Sequence, residues 1–192
     1  MAWRIIEEGV IPSLPLGRVK AALRIHHDVD DELLRHLIHV ARQYIETYTS
    51  QVLGDVKLEL IIDRWERSKQ PWSGLTPDSG LPVVWIPLPT GPLRTLESIS
   101  LRHRSGEWTD LPLERFIVGG HRLGIRADWP PITSGIHSIR IIGRGGLTPV
   151  PEMVEGTWLR LVSTLYESDA PDMSVVQSAL KPLSALKVRT LI

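Results

Sequence analysis

The chain has 192 residues, 42% of them hydrophobic and 23% charged, an ordinary globular composition long enough to bury one core, or a core plus a smaller module. Its 22 basic residues balance 22 acidic ones, so no global field draws it to nucleic acid or an anionic membrane, and any such contact must be local. With no cysteine it has no disulfides or thiol chemistry, which fits a reducing compartment. No apolar run reaches the roughly 18 residues that a membrane span needs, so no membrane partner is expected.

The N-terminal MAWRIIEEGVIPSLP interrupts a short apolar run with two acids and a proline, unlike a secretory signal, and a soluble intracellular product is expected. Leu16, Val19, Ala22 and Leu23 share one side of a short helix predicted over about 16–25. A long amphipathic helix is predicted next, over about 30–49. Leu33, Leu37, Ala41, Tyr44 and Tyr48 form its apolar stripe, Leu34, Ile38 and Ile45 widen it, and Arg35, His39, Arg42 and Glu46 face solvent. Asp28 or Asp30 is placed to cap its free amides, and Asp31 and Glu32 sit in the first turn, where the helix dipole favours negative charge. These acids lack the central Gly and distal Glu of a calcium loop, so capping is the better account.

After Gly54 the texture becomes that of strands. Val56, Leu58, Leu60 and Ile62 alternate with Lys57, Glu59, Ile61 and Asp63. From Pro71 to Pro92, Pro, Gly and Ser enclose the apolar run Leu81 to Ile86 and predict turns and edge strands. Strands are predicted at about 93–101, 107–111, 115–118, 122–125 and 136–142, a spacing typical of a small antiparallel sheet or sandwich. Past Gly143, Gly145 and Gly146 the chain returns to helix, opened by Pro151, with Val154, Trp158, Leu161, Val162 and Leu165 on its apolar side. Asp169 to Asp172 ends that helix. The remainder, apolar throughout and broken by Pro182, is expected to dock on the body or on a partner.

No constellation carries catalysis. His26 with His27, and His36 with His39, lack a third ligand at zinc spacing and read as surface or interface residues. Gly143-Arg144-Gly145-Gly146 has neither the Lys-Ser/Thr of a P-loop nor a complete dinucleotide fingerprint, and a flexible entry to the helix explains it better than a phosphate cradle. No Gly-x-Ser-x-Gly elbow is present. No enzyme, metal or cofactor is therefore expected. The β-rich stretch carries Arg94, Arg102, Arg104, Arg115, Arg122, Arg126, Arg140 and Arg144 and no lysine, so clustered guanidinium groups there would suit phosphates or a neighbour's carboxylates. Trp65, Trp72, Trp85, Trp108 and Trp129 fall in the same stretch. They support an alternative, a β-sandwich module binding carbohydrate or peptide through exposed indoles.

The order VKAALRI, HHDVDDELL, a helix ending ARQYIETYTSQVL, then a strand resembles the opening of phage head-tail connector (adaptor) proteins, found in tailed phages, prophages and gene transfer agents. IRIIGRGGLTPVPEMVEGTWLRLVSTLYE resembles that family's closing strand, Gly-rich loop and helix, and QSALKPLSALKVRTL is similar to its terminal apolar and basic segment. The resemblance covers about 16–166 and departs from the family in the Trp- and Pro-rich insertion around 65–85.

It implies an α+β fold with three parts: a helical bundle of N-terminal helices and a C-terminal helix (16–54 and 148–168), an inserted β-rich part (55–147) and an extended C-terminal docking tail (169–192). It further implies a structural protein of the particle neck, made in the host cytoplasm. There it forms a homo-oligomeric ring, commonly dodecameric, under the portal protein and offers a platform to a stopper or tail-side connector. Packaged double-stranded DNA passes through the channel. The surface concealed on assembly is expected at Val175, Val176, Leu180, Leu183, Leu186, Val188 and Leu191. Arg94, Arg102, Arg104, Arg122, Arg126, Arg140 and Arg144 are the candidates for channel or inter-subunit contacts.

Overall fold

A computed structural model describes residues 2–9, 11–62, 73–75, 82–88, 92–102, 105–126, 138–168 and 172–187. They fall into two compact units. A helical unit is drawn from 11–54 and the segment beginning at Leu147, and a β unit from the N-terminal residues and 55–146. Among the described residues no helix is long and apolar enough to cross a membrane.

The helical unit contains α1 (Leu16–Leu23), α2 (Asp31–Thr49), α3 (Glu152–Glu167) and α4 (Met173–Leu180), with a 3-10 turn at Lys181–Leu186. The buried line of α2 is Leu34, Ile38, Ala41 and Ile45, with Leu37, Tyr44 and Tyr48 packed beside it, while Leu33 of the predicted stripe is 49% exposed. That line meets Val154, Trp158, Leu161 and Val162 of α3 and Val176, Ala179, Leu180 and Leu183 of the C-terminal segment in one apolar cluster. The buried Trp158 indole donates to the Ile38 carbonyl at 2.8 Å, giving its one polar atom a partner inside the core. Tyr166 Oη donates to Asp30 Oδ2 at 2.7 Å, so the end of α3 lies at the start of α2 and the two helices run antiparallel.

Polar residues near the ends of α2 do other work than the sequence suggested. Arg42, expected on the solvated face, is buried. Its guanidinium donates to Glu46 at 3.0 Å and to the Leu53 carbonyl at 3.4 Å, while Glu46 accepts the Leu53 N–H at 2.8 Å. Asp30 is the N-cap residue but makes no side-chain cap bond, and Asp28 and Asp31 instead take the Lys20 ammonium at 2.5 and 2.7 Å. These hydrogen bonds raise the Lys20 pKa and lower that of Asp28. The acids thus tie α1 to α2 as well as favouring the helix dipole.

Among the described residues the β unit holds nine strands, β1 (Ala2–Glu8), β2 (Val56–Ile62), β3 (Ser73–Leu75), β4 (Pro82–Pro87), β5 (Leu93–Arg102), β6 (Trp108–Asp110), β7 (Phe116–Val118), β8 (Arg122–Arg126) and β9 (Ser138–Gly145). They form a five-stranded sheet in the order β1-β2-β9-β5-β6 and a four-stranded sheet in the order β3-β4-β8-β7, every pairing antiparallel. Leu60, Ile99, Leu101, Ile139 and Ile141 of the first sheet and Leu123 and Ile125 of the second share one buried cluster. The proline-bounded run 82–87 is an interior strand rather than an edge. Its prolines stand at the first and last positions, where a missing ladder donor is tolerated.

Gly143 and Gly145 are strand residues, which corrects the expected flexible loop. A Cβ on either would stand 2.3 Å from the Thr95 carbonyl oxygen or 2.4 Å from that of Pro92. β5 bulges at these two places, and the glycines let its backbone press against β9 there.

The helical core carries a testable expectation. Leu183 is fully buried among α3 and α4 residues, so Leu183→Ala should lower stability to chemical denaturation by about 2–5 kcal/mol. An unchanged midpoint would show that the segment after α4 does not pack as described.

Candidate functional site

The seven tail positions separate sharply. Val176, Leu180 and Leu183 are buried within the helical unit, so they offer nothing to a partner chain, contrary to expectation. The reason is local. The segment expected to be extended is helical over 173–186, and its apolar residues recur on one side, toward α3. Asp172 caps α4 by accepting the Ser174 N–H at 3.0 Å, which holds its carboxyl below the ordinary range. Leu186 is half-buried and its carbonyl accepts from Gln51, and the Lys187 ammonium lies 5.1 Å from the Tyr48 ring centre. Val175 is exposed, and Val188 and Leu191 lie outside the described residues.

Other side chains of the helical unit leave apolar surface open: Val29 (87% exposed), Leu33, Met153 and Met173. A lone exposed apolar residue is unremarkable, but Val29 and Leu33 stand four apart at the start of α2, on the side away from the core. This surface was not anticipated as a site, although the spacing of 29, 33 and 40 was a readable signal.

Among the described residues the arginines do not form one bare basic patch. Arg144 donates to Glu7 at 2.7 Å, lies 3.4 Å from Asp55 and 3.7 Å from Glu97, and Arg94 pairs with Asp55. Lys57 meets Glu97 at 2.6 Å, which closes a network of three cations and three carboxylates where β2, β5 and β9 come together. Arg140 and Arg102 lie over Trp108, 4.5 and 5.9 Å from the ring centre, and Arg122 lies 5.3 Å from that of Trp85. Stacking leaves their charge unneutralised. Arg104 and the side chain of Arg126 lie outside the described residues, as do Trp65, Trp72 and Trp129. Trp85 and Trp108, already covered by guanidinium groups, present no vacant stacking platform, and the carbohydrate- or peptide-binding alternative finds no support here.

Residues 14–73, which span α1, α2 and β2, match the family described as phage gp6-like head-tail connector protein. The match is confined to that segment, about a third of the chain. The matching family is one of structural proteins, not enzymes. Solved structures extend the likeness beyond the segment. One chain in the neck of an empty gene transfer agent particle, of C6 symmetry, is 18% identical with a TM-score of 0.68, covering 100% of this chain and 98% of that one. A chain in the neck of a native particle of C12 symmetry gives 16% identity and 0.65 over 98% and 97%, and one in a native gene transfer agent virion gives 19% and 0.65 over 100% and 98%. At these identities it is the fold that is shared. No curated protein matches the chain in sequence.

Two measurements test the electrostatics. Arg144→Gln should cost about 0.5–1 kcal/mol at low ionic strength, and the difference should shrink in about 1 M salt, where screening acts within about 3 Å. Asp172 has a depressed folded-state pKa, so its cap stabilises fully above the unfolded carboxyl pKa and that contribution fades as pH falls through the folded value. Asp172→Ala should therefore be less stable than the parent at neutral pH, and the gap should narrow in strong acid to what a neutral acceptor supplies. Asp172→Asn, which keeps a side-chain acceptor, should lie between them at neutral pH.

Proposed function

We propose that the protein is a structural connector in the neck of a phage or phage-like particle. It forms a closed homo-oligomeric ring under the portal and joins capsid to tail around the DNA channel. The observation that carries this reading is the fold likeness along the whole chain to proteins of gene transfer agent necks, anchored by the connector family match at 14–73. A neck structure of C12 symmetry favours twelve copies. The finer architecture belongs to the same reading: a helical bundle supplies the assembly surface, and a two-sheet β part is inserted in it.

The ring contacts portal on one side and a stopper or tail-side connector on the other. Its contact with double-stranded DNA is non-specific and passes through charge. Of the arginines, exposed Arg102 and Arg122 suit that role best, since each is held by an indole that leaves its charge intact, whereas Arg94 and Arg144 are neutralised by carboxylates. Among tail residues, exposed Val175 is retained as a contact, and Val188 and Leu191 remain candidates.

Electron microscopy of particles carrying an epitope-labelled copy tests the reading. We expect label at the neck in a ring of about twelve, and co-purification of the chain with portal protein. Particles that assemble fully without the chain, or a chain that stays monomeric with portal present at high concentration, would refute it.

A further inference from the structure

A ring closed by rotation needs two different, complementary faces on every copy, because each subunit meets one neighbour with one face and the next with the other. Resting on the connector reading, two outer helix lines of the helical unit meet that need.

The first line is on α2. Val29, in the turn before the helix, then Leu33, His36 and Val40 follow the helical spacing on the side away from the core. Val29 and Leu33 are exposed, Val40 is half-buried, and none of the three belongs to the packed cluster. Exposed Glu32 flanks them and meets no cation among the described residues.

The second line is on α3, where Met153, Gly156 and Arg160 are all exposed. A glycine inside a helix costs about 0.5–1 kcal/mol relative to alanine. Nothing among the described residues accounts for that cost, since a Cβ on Gly156 would meet none of them within 4 Å. Arg160 meets no carboxylate among the described residues. One line is therefore apolar with a free acid, and the other is apolar with a gap and a free base.

We propose that the α2 line of one copy packs on the α3 line of the next. Val29 and Leu33 lie against Met153, the Gly156 gap admits the approaching helix, and Glu32 pairs with Arg160. Helix axes in contact lie about 8–10 Å apart, and a glycine at the crossing favours the short end of that range. The pair forms the centre of a subunit interface whose total area is on the order of 1,200–2,000 Å².

The absence of native cysteine makes the test clean. Leu33→Cys and Gly156→Cys are combined in one chain, and the assembled oligomer is oxidised mildly. The expected result is a ladder of disulfide-linked multimers, with neither single variant going beyond a faint dimer. Independently, Glu32→Arg and Arg160→Glu should each weaken assembly about tenfold, the effect of roughly 1.4 kcal/mol, and the double reversal should restore it. Circular dichroism of each variant checks that the fold is kept. If the parent assembles while the double-cysteine chain gives no ladder, or if the double reversal is no better than the single changes, this pairing is wrong and the connector reading stands. A parent that never assembles overturns both.

Discussion

The β unit depends on strand β9 being flanked along its length by two backbones at once, β2 on one side and β5 on the other. Its end can take that position because residues 143 and 145 carry no Cβ where the bulged β5 backbone presses in. The same approach brings Lys57 to Glu97, Arg94 to Asp55, and Arg144 to Glu7, Asp55 and Glu97, so sheet closure and charge neutralisation are one event. An arginine that looks in sequence like a candidate for DNA is thereby committed to the architecture, and the free charge of this unit shifts to guanidinium groups resting on indoles.

The helical unit divides its apolar residues differently. Leu34, Ile38, Ala41 and Ile45 close on α3 and on the C-terminal segment, which completes a core within one chain. What stays open is a narrower set at the start of α2 and along α3. Most of the large apolar side chains that stay exposed in this unit thus lie on regular helices. Contacts made by rigid elements lose less conformational entropy on association than contacts made by loose segments.

How far the sequence could be read varied with how far each signal depended on distant residues. The long helix, the helix opened by Pro151 and most strands were legible because their periodicity is local, and α2 ends at Thr49 as its spacing implied. Strand β1 was missed, since AWRIIEE does not alternate and is a strand through its pairing with β2, far along the chain. Helix α4 was missed because Pro182 and a short length hid its period, and the proline in fact begins the 3-10 turn after it. Of the α2 stripe only Leu33 was misplaced, since Leu37, Ala41, Tyr44 and Tyr48 pack on the core beside Leu34, Ile38 and Ile45. Leu33 and Leu34 are equally apolar, and only contact with α3 separates them. Arg42 and Asp28 were assigned their commonest roles, whereas their partners here, the Leu53 carbonyl and Lys20, are tertiary neighbours that no spacing rule reveals.

Neither unit is continuous in the chain, and this bears on how the protein is made. During synthesis α1 and α2 leave the ribosome before α3 exists, so Leu34, Ile38 and Ile45 wait uncovered while residues 55–146 of the β unit are translated. The equilibrium penalty of such an insertion is small, because doubling a loop adds only about 0.6 kcal/mol of closure entropy. The cost is one of time, a window in which a greasy nascent helix is open to chaperones or to misassociation until the last segment emerges.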